Sequence, residues 1–421
     1  MTKFFPRDIL AKKFSGEFME KKYFYFQPQY VDKFKCDGSK CDAHCCQGWN
    51  IFIDAKTFEQ YSQLDSREIV QHMEFYPDRE EYLITLNDKR QCPFLNENKL
   101  CRLQLKFGEK FLSKTCATYP RVTNNFGYFF ERSLILSCPV AAEMILFERE
   151  PMKFEFVHVP EKIHSLSGKI AMQAIQATDE LKEHVIEIQV AMISILQERT
   201  LTLDGRLIVL GFFLDKLEEI FSDFDADSLT KLIAAYESKT FLAEQVPLMI
   251  QSLNFDAEKF IRLILAVLDK VYDGENRFET ARDKKFMGAV VDVFKFNSDE
   301  KNIVANFKAL AEARKNFLTT CAAFLENFLV NGLFINILPW KFEGSLAQNF
   351  ATFVTGYKIF ELATFSVWFK GMDSKENLIE LAGWFVTRFD HTSEYKQRIF
   401  EYFTDKDEPF ALMESLLEGR D

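Results

Sequence analysis

The chain has 421 residues, of which 48% are apolar, and it contains 46 Phe but only 16 Gly. This length suits two domains, and the scarcity of glycine favours packed helices over sheets rich in turns. The formal net charge is −11: residues 1–150 hold 22 Lys and Arg against 21 Asp and Glu, and the remainder holds 30 against 42. An acidic chain without a basic stripe argues against nucleic acid as a partner.

The chain begins MTKFFPRDILAKKF, which lacks the long apolar region and the small-residue cleavage site of a secretory signal. No apolar run approaches the roughly 18 to 20 residues of a membrane-spanning helix. We therefore expect a cytoplasmic protein without a transmembrane segment. Thiols in that compartment stay mostly reduced, so clustered cysteines there indicate a metal before a disulfide.

Residues 1–150 show mixed patterns of strand and helix. The segments "WNIFID", "YLITL" and "GYFFERSLIL" predict strands by alternation and by their aromatic and branched residues. Between the first two, "TFEQYSQLDSREIVQHM" predicts a helix that begins near Asp54. Pro151, Pro160 and Gly168 then punctuate the chain and predict a break between domains.

Residues 151–421 predict helices almost throughout. Asp204 is a candidate N-cap, and it precedes apolar residues spaced three and four apart. The predicted stripes are Leu207, Leu210, Leu214 and Leu217, then Phe260, Ile264, Leu268 and Tyr272, then Phe317, Cys321, Phe324 and Phe328. The position of Cys321 in a stripe predicts a core residue, because free cysteine packs as a small hydrophobe.

The sequence thus predicts a mainly α protein. A small mixed α/β, cysteine-rich, metal-binding N-terminal domain at residues 1–150 is followed by an all-helical C-terminal domain at residues 151–421. Eight of the nine cysteines lie in the first domain: Cys36, Cys41, Cys45, Cys46, Cys92, Cys101, Cys116 and Cys138.

These eight cysteines are candidate metal ligands, since thiolates bind zinc, copper(I) and iron–sulfur clusters. Structural zinc often uses two Cys-x2-Cys pairs, and this chain has none. Adjacent Cys45 and Cys46 cannot easily turn both sulfurs to one small ion, so a [4Fe–4S] cluster held from scattered loops fits better. Zinc, or a set of buried or redox thiols without metal, stays open. His44 is either a further ligand or an exposed loop residue.

Several nucleotide-binding patterns are absent. No G-x-G-x-x-G follows a predicted strand, and no G-x-x-x-x-G-K-[ST] occurs. Cys41 and Cys45 begin the Cys-x3-Cys-x2-Cys triplet of radical S-adenosylmethionine enzymes, but Gly48 stands where its third cysteine belongs. A nucleotide-type cofactor would therefore need an unusual pocket.

Four segments carry a resemblance to a known family. In chain order they are "QPQYVDKFKCDGSKCDAHCCQGWNIFID", "CPFLNENKLCRLQ", "LSKTCATYPR" and "LSCP". Together they resemble the flagellin lysine-N-methylase family of bacteria over about residues 27 to 145. A broader family of small zinc- or iron-chelating domains shares the Cys-Cys pair and the Cys-Pro-Phe-Leu block.

The resemblance implies a methyltransferase that uses S-adenosylmethionine, acts on lysine side chains of flagellin and holds an iron–sulfur cluster in its cysteines. We expect Trp49 and Arg121 to be candidate cofactor-binding residues; the alternatives are that Trp49 covers the metal and that Arg121 holds a loop carbonyl. The sequence names no general base. The alternative function is a non-enzymatic metal-binding scaffold whose helical half docks a partner protein.

Overall fold

The structure, a computed structural model, describes residues 23–36, 44–47, 50–64, 67–126, 129–159, 183–253, 255–271, 280–389, 393–404 and 416–417. A small mixed α/β region precedes a helical region, which confirms the predicted mainly α chain. The boundary at residue 150 stays a prediction, and so does metal binding by the first domain.

Residues 44–118 form what we call the cysteine module. It contains β2 (Phe52–Ile53), β3 (Met73–Tyr76) and β4 (Glu81–Ile84), which pair antiparallel in the order β2-β4-β3. Its helices are short: α2 (Ala55–Gln63), α3 (Arg67–Val70), α4 (Arg102–Phe107) and α5 (Lys114–Thr118). Its small core consists of Ile51, Ile53, Tyr61, Ile69, Ile84, Cys92, Phe94 and Leu103. Partly buried side chains, among them Phe58, Phe107 and Phe111, pack against this core.

A four-stranded sheet lies outside this module. Its strands are β1 (Tyr23–Pro28), β5 (Arg121–Asn125), β6 (Phe130–Leu134) and β7 (Phe154–Val159), in the order β5-β6-β1-β7. Only the β1–β6 pair is parallel. The predicted break after residue 150 therefore contains a strand, β7, which pairs with β1 along its whole length. After β1, the short helix α1 (Tyr30–Lys33) leads out of the sheet, and α6 (Pro139–Leu146) follows β6.

The helical region begins at α7 and surrounds one long helix. The helices are α7 (Val185–Leu196), α8 (Leu203–Ser222), α9 (Ala226–Tyr236), α10 (Lys239–Glu244), α11 (Val246–Ser252), α12 (Ala257–Val271), α13 (Ala281–Phe294), α14 (Glu300–Ala309), α15 (Ala311–Thr320), α16 (Ala322–Ile335), α17 (Leu346–Phe369), α18 (Lys375–Phe389) and α19 (Ser393–Thr404). Of the 24 residues of α17, 19 are buried, which identifies it as the central helix of the bundle.

Aromatic rings join the four-stranded sheet to the helices. Phe334 of α16 meets Phe26 of β1 at 5.4 Å and Phe154 of β7 at 5.2 Å between ring centroids. Asn331, one turn earlier, donates to the carbonyl of Leu134 on β6 at 3.4 Å. The sheet and the helices therefore share one large core, whereas the cysteine module keeps its own.

Three helix predictions need correction. The segment "TFEQYSQLDSREIVQHM" lies in two short helices, α2 and α3, rather than in one, and its last residue, Met73, begins β3. The N-cap of α8 is Thr202, whose side chain accepts from the N–H of Gly205 at 3.1 Å; Asp204 lies inside the first turn, where it is buried beside Lys358. The stripe through Cys321 is divided between two helices, α15 and α16, which are bent by 73° at that residue. The three- and four-residue spacing of the apolar side chains continues across the bend, so the sequence pattern does not show it.

Among the described residues, no single helix is long and apolar enough to cross a membrane. Helices α15 and α16 meet that criterion only when they are taken together across their bend.

Candidate functional site

Five of the predicted ligand cysteines gather in the cysteine module. They come from four places: Cys45 and Cys46 from a 3₁₀ turn, Cys92 from the loop after β4, Cys101 from the N-cap position of α4, and Cys116 from α5. The N–H of Cys92 donates to the carbonyl of Cys46 at 2.8 Å, which fixes the first turn against the loop. Loops and short helices thus position these thiols, as the sequence predicted for a region with little regular structure.

Cys46 links the first three thiols. Its Sγ lies 3.7 Å from Sγ of Cys45, and its thiol also hydrogen-bonds the thiol of Cys92. These two bonds, followed by burial, raise the pKa of Cys46 far above its ordinary range. The same contacts with Cys46 lower the pKa of Cys45 and that of Cys92. A thiol carries one proton, so Cys46 can donate to only one of these two neighbours at a time.

Cys101 and Cys116 are the other two thiols of the module. Burial raises the pKa of Cys101, and it raises that of Cys116 to about 12. Electrostatic repulsion from Cys92 and Cys45 adds to both effects. Two hydrogen bonds seat Cys116: its N–H donates to Oγ of Ser113 at 3.2 Å, and its thiol is bonded by the same serine.

Tyr61 and Asp54 support this group. Tyr61 is 1% exposed and donates its hydroxyl to the carbonyl of Phe111 at 2.5 Å; burial first, and then the nearby cysteines, raise its pKa. Asp54 caps α2 by accepting from Thr57, as the sequence predicted, and it also accepts from the N–H of Lys114 at 3.4 Å. One carboxylate therefore connects α2 to the helix that carries Cys116. Sequence reasoning missed Tyr61. The available signal was a tyrosine, an aromatic residue with a hydroxyl group, inside a predicted helix.

The donor set suits a metal that prefers sulfur. Five soft sulfurs, one buried and four half-buried, belong to this module. Among the described residues, no three His, Cys, Asp or Glu side chains already converge on one point in the manner of metal ligands. The fit therefore rests on the chemistry of the donors, and the residues that would hold a cluster are Cys45, Cys46, Cys92, Cys101 and Cys116.

The other predicted site residues lie elsewhere. Cys36 is exposed, and Cys138 belongs to the large core at the N-cap position of α6, so the structure does not place either in the group of five. Arg121 donates to the carbonyl of Phe34 at 3.4 Å and stacks over its ring. Cys321 packs against the large core, and burial raises its pKa to about 11. Cys41, Trp49 and the side chain of His44 fall outside the described residues, so all these ligand and cofactor assignments stay predictions.

A cavity of about 60 Å³ lies within the helical bundle. Phe328, Phe353 and Phe385 line it, and Asn336 and Lys396 stand at one side, joined by a 2.5 Å hydrogen bond. Pockets for drug-sized ligands usually measure about 300 to 1,000 Å³. This cavity is therefore too small for a ligand of that size.

Two buried ion clusters cross the helical core. Glu326 of α16 accepts from Arg206 at 2.7 Å and from Arg199 at 2.8 Å. Lys358 of α17 donates to Asp204 at 2.6 Å and to Glu361 at 3.0 Å. Sequence reasoning missed both clusters. The available signal was the presence of charged residues inside apolar runs, as in "FLENFL" and "YKIFEL". These charges fix α8, α16 and α17 relative to one another.

The helical region matches a known protein family. A family model described as the FliB lysine N-methylase C-terminal domain matches residues 189–417, which is more than half of the chain and covers α8 to α19. The chain belongs to the FliB lysine N-methylase family. No solved structure matches it.

The names of three curated relatives are consistent with this family. A lysine-N-methylase of Salmonella typhimurium and one of Salmonella choleraesuis are each 32% identical over 139 residues. A flagellar biosynthetic protein, FliU of Salmonella muenchen, is 32% identical over 137 residues and is covered over 79% of its length. Each alignment covers 30% of this chain, and it spans only 33% of the length of the two lysine-N-methylases.

Proposed function

We propose that this chain is a methyltransferase that transfers methyl groups from S-adenosylmethionine to lysine ε-amines of flagellin. The observation that carries the proposal is the FliB lysine N-methylase match over residues 189–417. The names of the relatives add support: two are lysine-N-methylases and the third is a flagellar biosynthetic protein. The resemblance of the cysteine segments points to the same donor and the same substrate.

The chemistry sets requirements for this activity. A free lysine ammonium has a pKa near 10.4, so at neutral pH most of it lacks the lone pair needed for attack. The protein must take up that proton and exclude water around the amine. The nitrogen lone pair then forms a bond to the methyl carbon as the carbon–sulfur bond breaks, and S-adenosylhomocysteine leaves as a neutral thioether. Alignment of the amine, the methyl carbon and the sulfur supplies much of the rate.

We further propose that the group of five cysteines holds an iron–sulfur cluster, with zinc as the alternative metal. Cys45, Cys46, Cys92, Cys101 and Cys116 offer one sulfur more than the four that a cubane cluster takes. When bound, such a group would supply ligand bonds that replace a large apolar core, or an iron site that binds the donor. The chain's own contribution is to gather the sulfurs, to bury them and to shift their pKa values apart.

Transfer of label to lysine tests the function. The purified, metal-replete chain is incubated with unmodified flagellin and methyl-labelled S-adenosylmethionine, and the flagellin is hydrolysed to amino acids. We expect the label to appear in methyl-lysine. If the donor binds by calorimetry but no methyl-lysine forms, the substrate assignment is wrong. If the chain does not bind the donor either, the metal-binding scaffold becomes the better account.

Metal content tests the second proposal independently. We expect protein purified without oxygen to be brown, with iron and acid-labile sulfide in stoichiometric amounts. Stoichiometric zinc without iron would show that the alternative metal is correct. Protein that contains neither metal, while folded, would refute a metal role for the five cysteines.

A further inference from the structure

One edge of the sheet in the cysteine module is open. In the order β2-β4-β3, strand β3 has a partner on one side only among the described residues. The N–H of Thr85 donates to the carbonyl of His72 at 2.8 Å, and His72 stands opposite Thr85 in the register of the β3–β4 pair. Bonded and non-bonded pairs alternate along an antiparallel ladder, so Met73 and Phe75 point their N–H and C=O groups away from β4. These two residues offer an unpaired backbone edge.

The side chains at this edge are exposed and aromatic. Phe75 is 56% exposed and Tyr76 is 38% exposed, and both are among the large apolar side chains that stand out on the described surface. Tyr76 meets Phe52 edge to face at 5.5 Å, which makes an aromatic patch beside the edge. Natural sheet edges are usually protected by short strands, charged side chains, proline or bulges. The four residues of β3, Met-Glu-Phe-Tyr, carry one such charge, the carboxylate of Glu74, and no lysine.

The charge around this edge is negative. Glu74, Asp78 and Glu80 are exposed, whereas the basic residue between them, Arg79, lies with its guanidinium 4.3 Å over the ring of Phe52. An extended segment that carries lysines would therefore meet both carboxylates and aromatic rings, two surfaces that attract ammonium groups. A segment that carries acidic residues would be repelled.

The edge belongs to the same module as the five cysteines. The ring of His72, at the start of β3, meets Phe94 at 5.9 Å, and Phe94 shares the small core with Cys92. A chain segment bound at β3 would thus lie on the module that gathers the sulfurs.

We infer that β3 binds an extended, lysine-bearing segment of the protein substrate, which adds to the sheet as a further strand. This inference rests on the proposed function for its choice of substrate. Backbone bonds to Met73 and Phe75 supply affinity without sequence preference, and Glu74, Asp78 and Glu80 select for cationic side chains. Such a surface recognises any exposed extended lysine-rich segment.

The first test changes the edge itself. The probe is a fluorescent peptide of alternating lysine and threonine, and its anisotropy is followed with the full chain in the absence of any methyl donor. Phe75→Pro removes an outward N–H while the ladder to β4 is kept, and proline is tolerated at such edge positions. We expect it to weaken binding about tenfold, the effect of about one lost hydrogen bond. The matched variant Phe75→Val keeps that N–H, and we expect a clearly smaller loss from it.

Charge is tested by a second pair of variants. Glu74→Lys should weaken binding of the lysine peptide, whereas Glu312→Lys, which reverses an exposed acid on α15, should leave it unchanged. An alternating glutamate and threonine peptide should not bind the unmodified chain. Equal binding of the lysine and glutamate peptides would overturn the inference.

The third test leaves the protein unchanged and so does not depend on the folding of a variant. One version of the lysine peptide is N-methylated on the backbone at every residue. It keeps the side chains but has no N–H to donate in either register of an added strand, so we expect its affinity to fall at least about tenfold. Unchanged affinity would show that the peptide does not bind as a strand.

The remaining outcomes also decide the question. If the chain elutes as a dimer that Phe75→Pro converts to a monomer, and no peptide binds, the edge serves a second copy and the inference is wrong. Because binding is measured without a donor, failure of methyl transfer would refute the proposed function and leave the binding result standing.

Discussion

At the scale of single residues, buried charges distinguish this helical core from a purely apolar one. The Glu326 side chain is 2% exposed and accepts from Arg206, which is 5% exposed, and from Arg199. Removal of one partner from such a group leaves an uncompensated buried charge. The loss of one partner therefore costs more free energy than the Coulomb attraction within the group alone indicates.

We expect Glu326→Ala to lower the free energy of unfolding by about 3–5 kcal/mol, because buried Arg206 then loses its carboxylate partner. Glu300→Ala removes one of the two carboxylate partners of exposed Arg262 and should cost clearly less. Urea denaturation of both variants provides the comparison. Similar costs for the two would show that burial does not determine the effect.

Glu131 predicts a dependence of stability on pH. It is fully buried on β6, and burial raises its pKa well above the ordinary 4.5 against the smaller opposing effects of Gln189 and Asn124. The folded state thus keeps a proton that the unfolded state loses, so the free energy of unfolding falls as pH rises above about 4.5.

Glu131→Gln removes this titration while it keeps the size of the side chain. We expect the variant to gain stability over the unmodified chain as pH rises from 5 to 8, as measured by urea denaturation at each pH. Glu312→Gln, an exposed substitution, should leave the pH profile as it is. A constant difference between Glu131→Gln and the unmodified chain across this range would contradict the raised pKa.

Cysteine variants separate the two halves of the chain. We expect Cys92→Ser to lose bound metal and to loosen the cysteine module, because Cys92 lies in the small core and contacts Cys46. Cys321→Ala should keep the metal and cost about 1 to 2 kcal/mol. Metal analysis and chemical denaturation measure both effects. Loss of metal from Cys321→Ala but not from Cys92→Ser would reverse the assignment.

At the scale of elements, local patterns located several elements but not all of their ends. The three predicted strand segments overlap β2, β4 and β6, a helix begins beside Asp54, and the stripe from Leu207 to Leu217 is buried in α8. Strand β7 was hidden because its partner, β1, lies far away in the chain and flanking prolines suggest a break. Pairing over such a distance leaves no local pattern.

Helix α8 shows how a local signal can be misassigned. Two polar residues, Thr202 and Asp204, stand near its start, and only the first is the cap. We expect Thr202→Ala to cost about 1 kcal/mol, as a lost N-cap does. We expect Asp204→Ala to cost more, since buried Lys358 then keeps one carboxylate, Glu361, of the two that the described residues supply. Thermal or urea denaturation measures both. A larger cost for Thr202→Ala than for Asp204→Ala would show that the buried ion pair of Asp204 contributes less than the N-cap.

At the scale of the whole molecule, the sequence predicted a mainly α chain with a small mixed N-terminal region, and the structure confirms it. The ligand assignments stay predictions: five of the eight cysteines lie in the cysteine module, and no three side chains of the described residues converge as metal ligands. The sequence did not predict that two cores form, one inside the cysteine module and one that joins the four-stranded sheet to the helices. Composition and spacing do not report which core a residue enters.

The activity of the whole molecule is tested most directly by the mass of flagellin. Unmodified flagellin is incubated with the metal-replete chain and S-adenosylmethionine, and intact-protein mass spectrometry follows the product. The account predicts successive increments of one CH₂, which peptide mapping assigns to lysine side chains, and none when the chain or the donor is omitted. Flagellin of unchanged mass, from a folded, metal-replete chain that binds the donor, would contradict it.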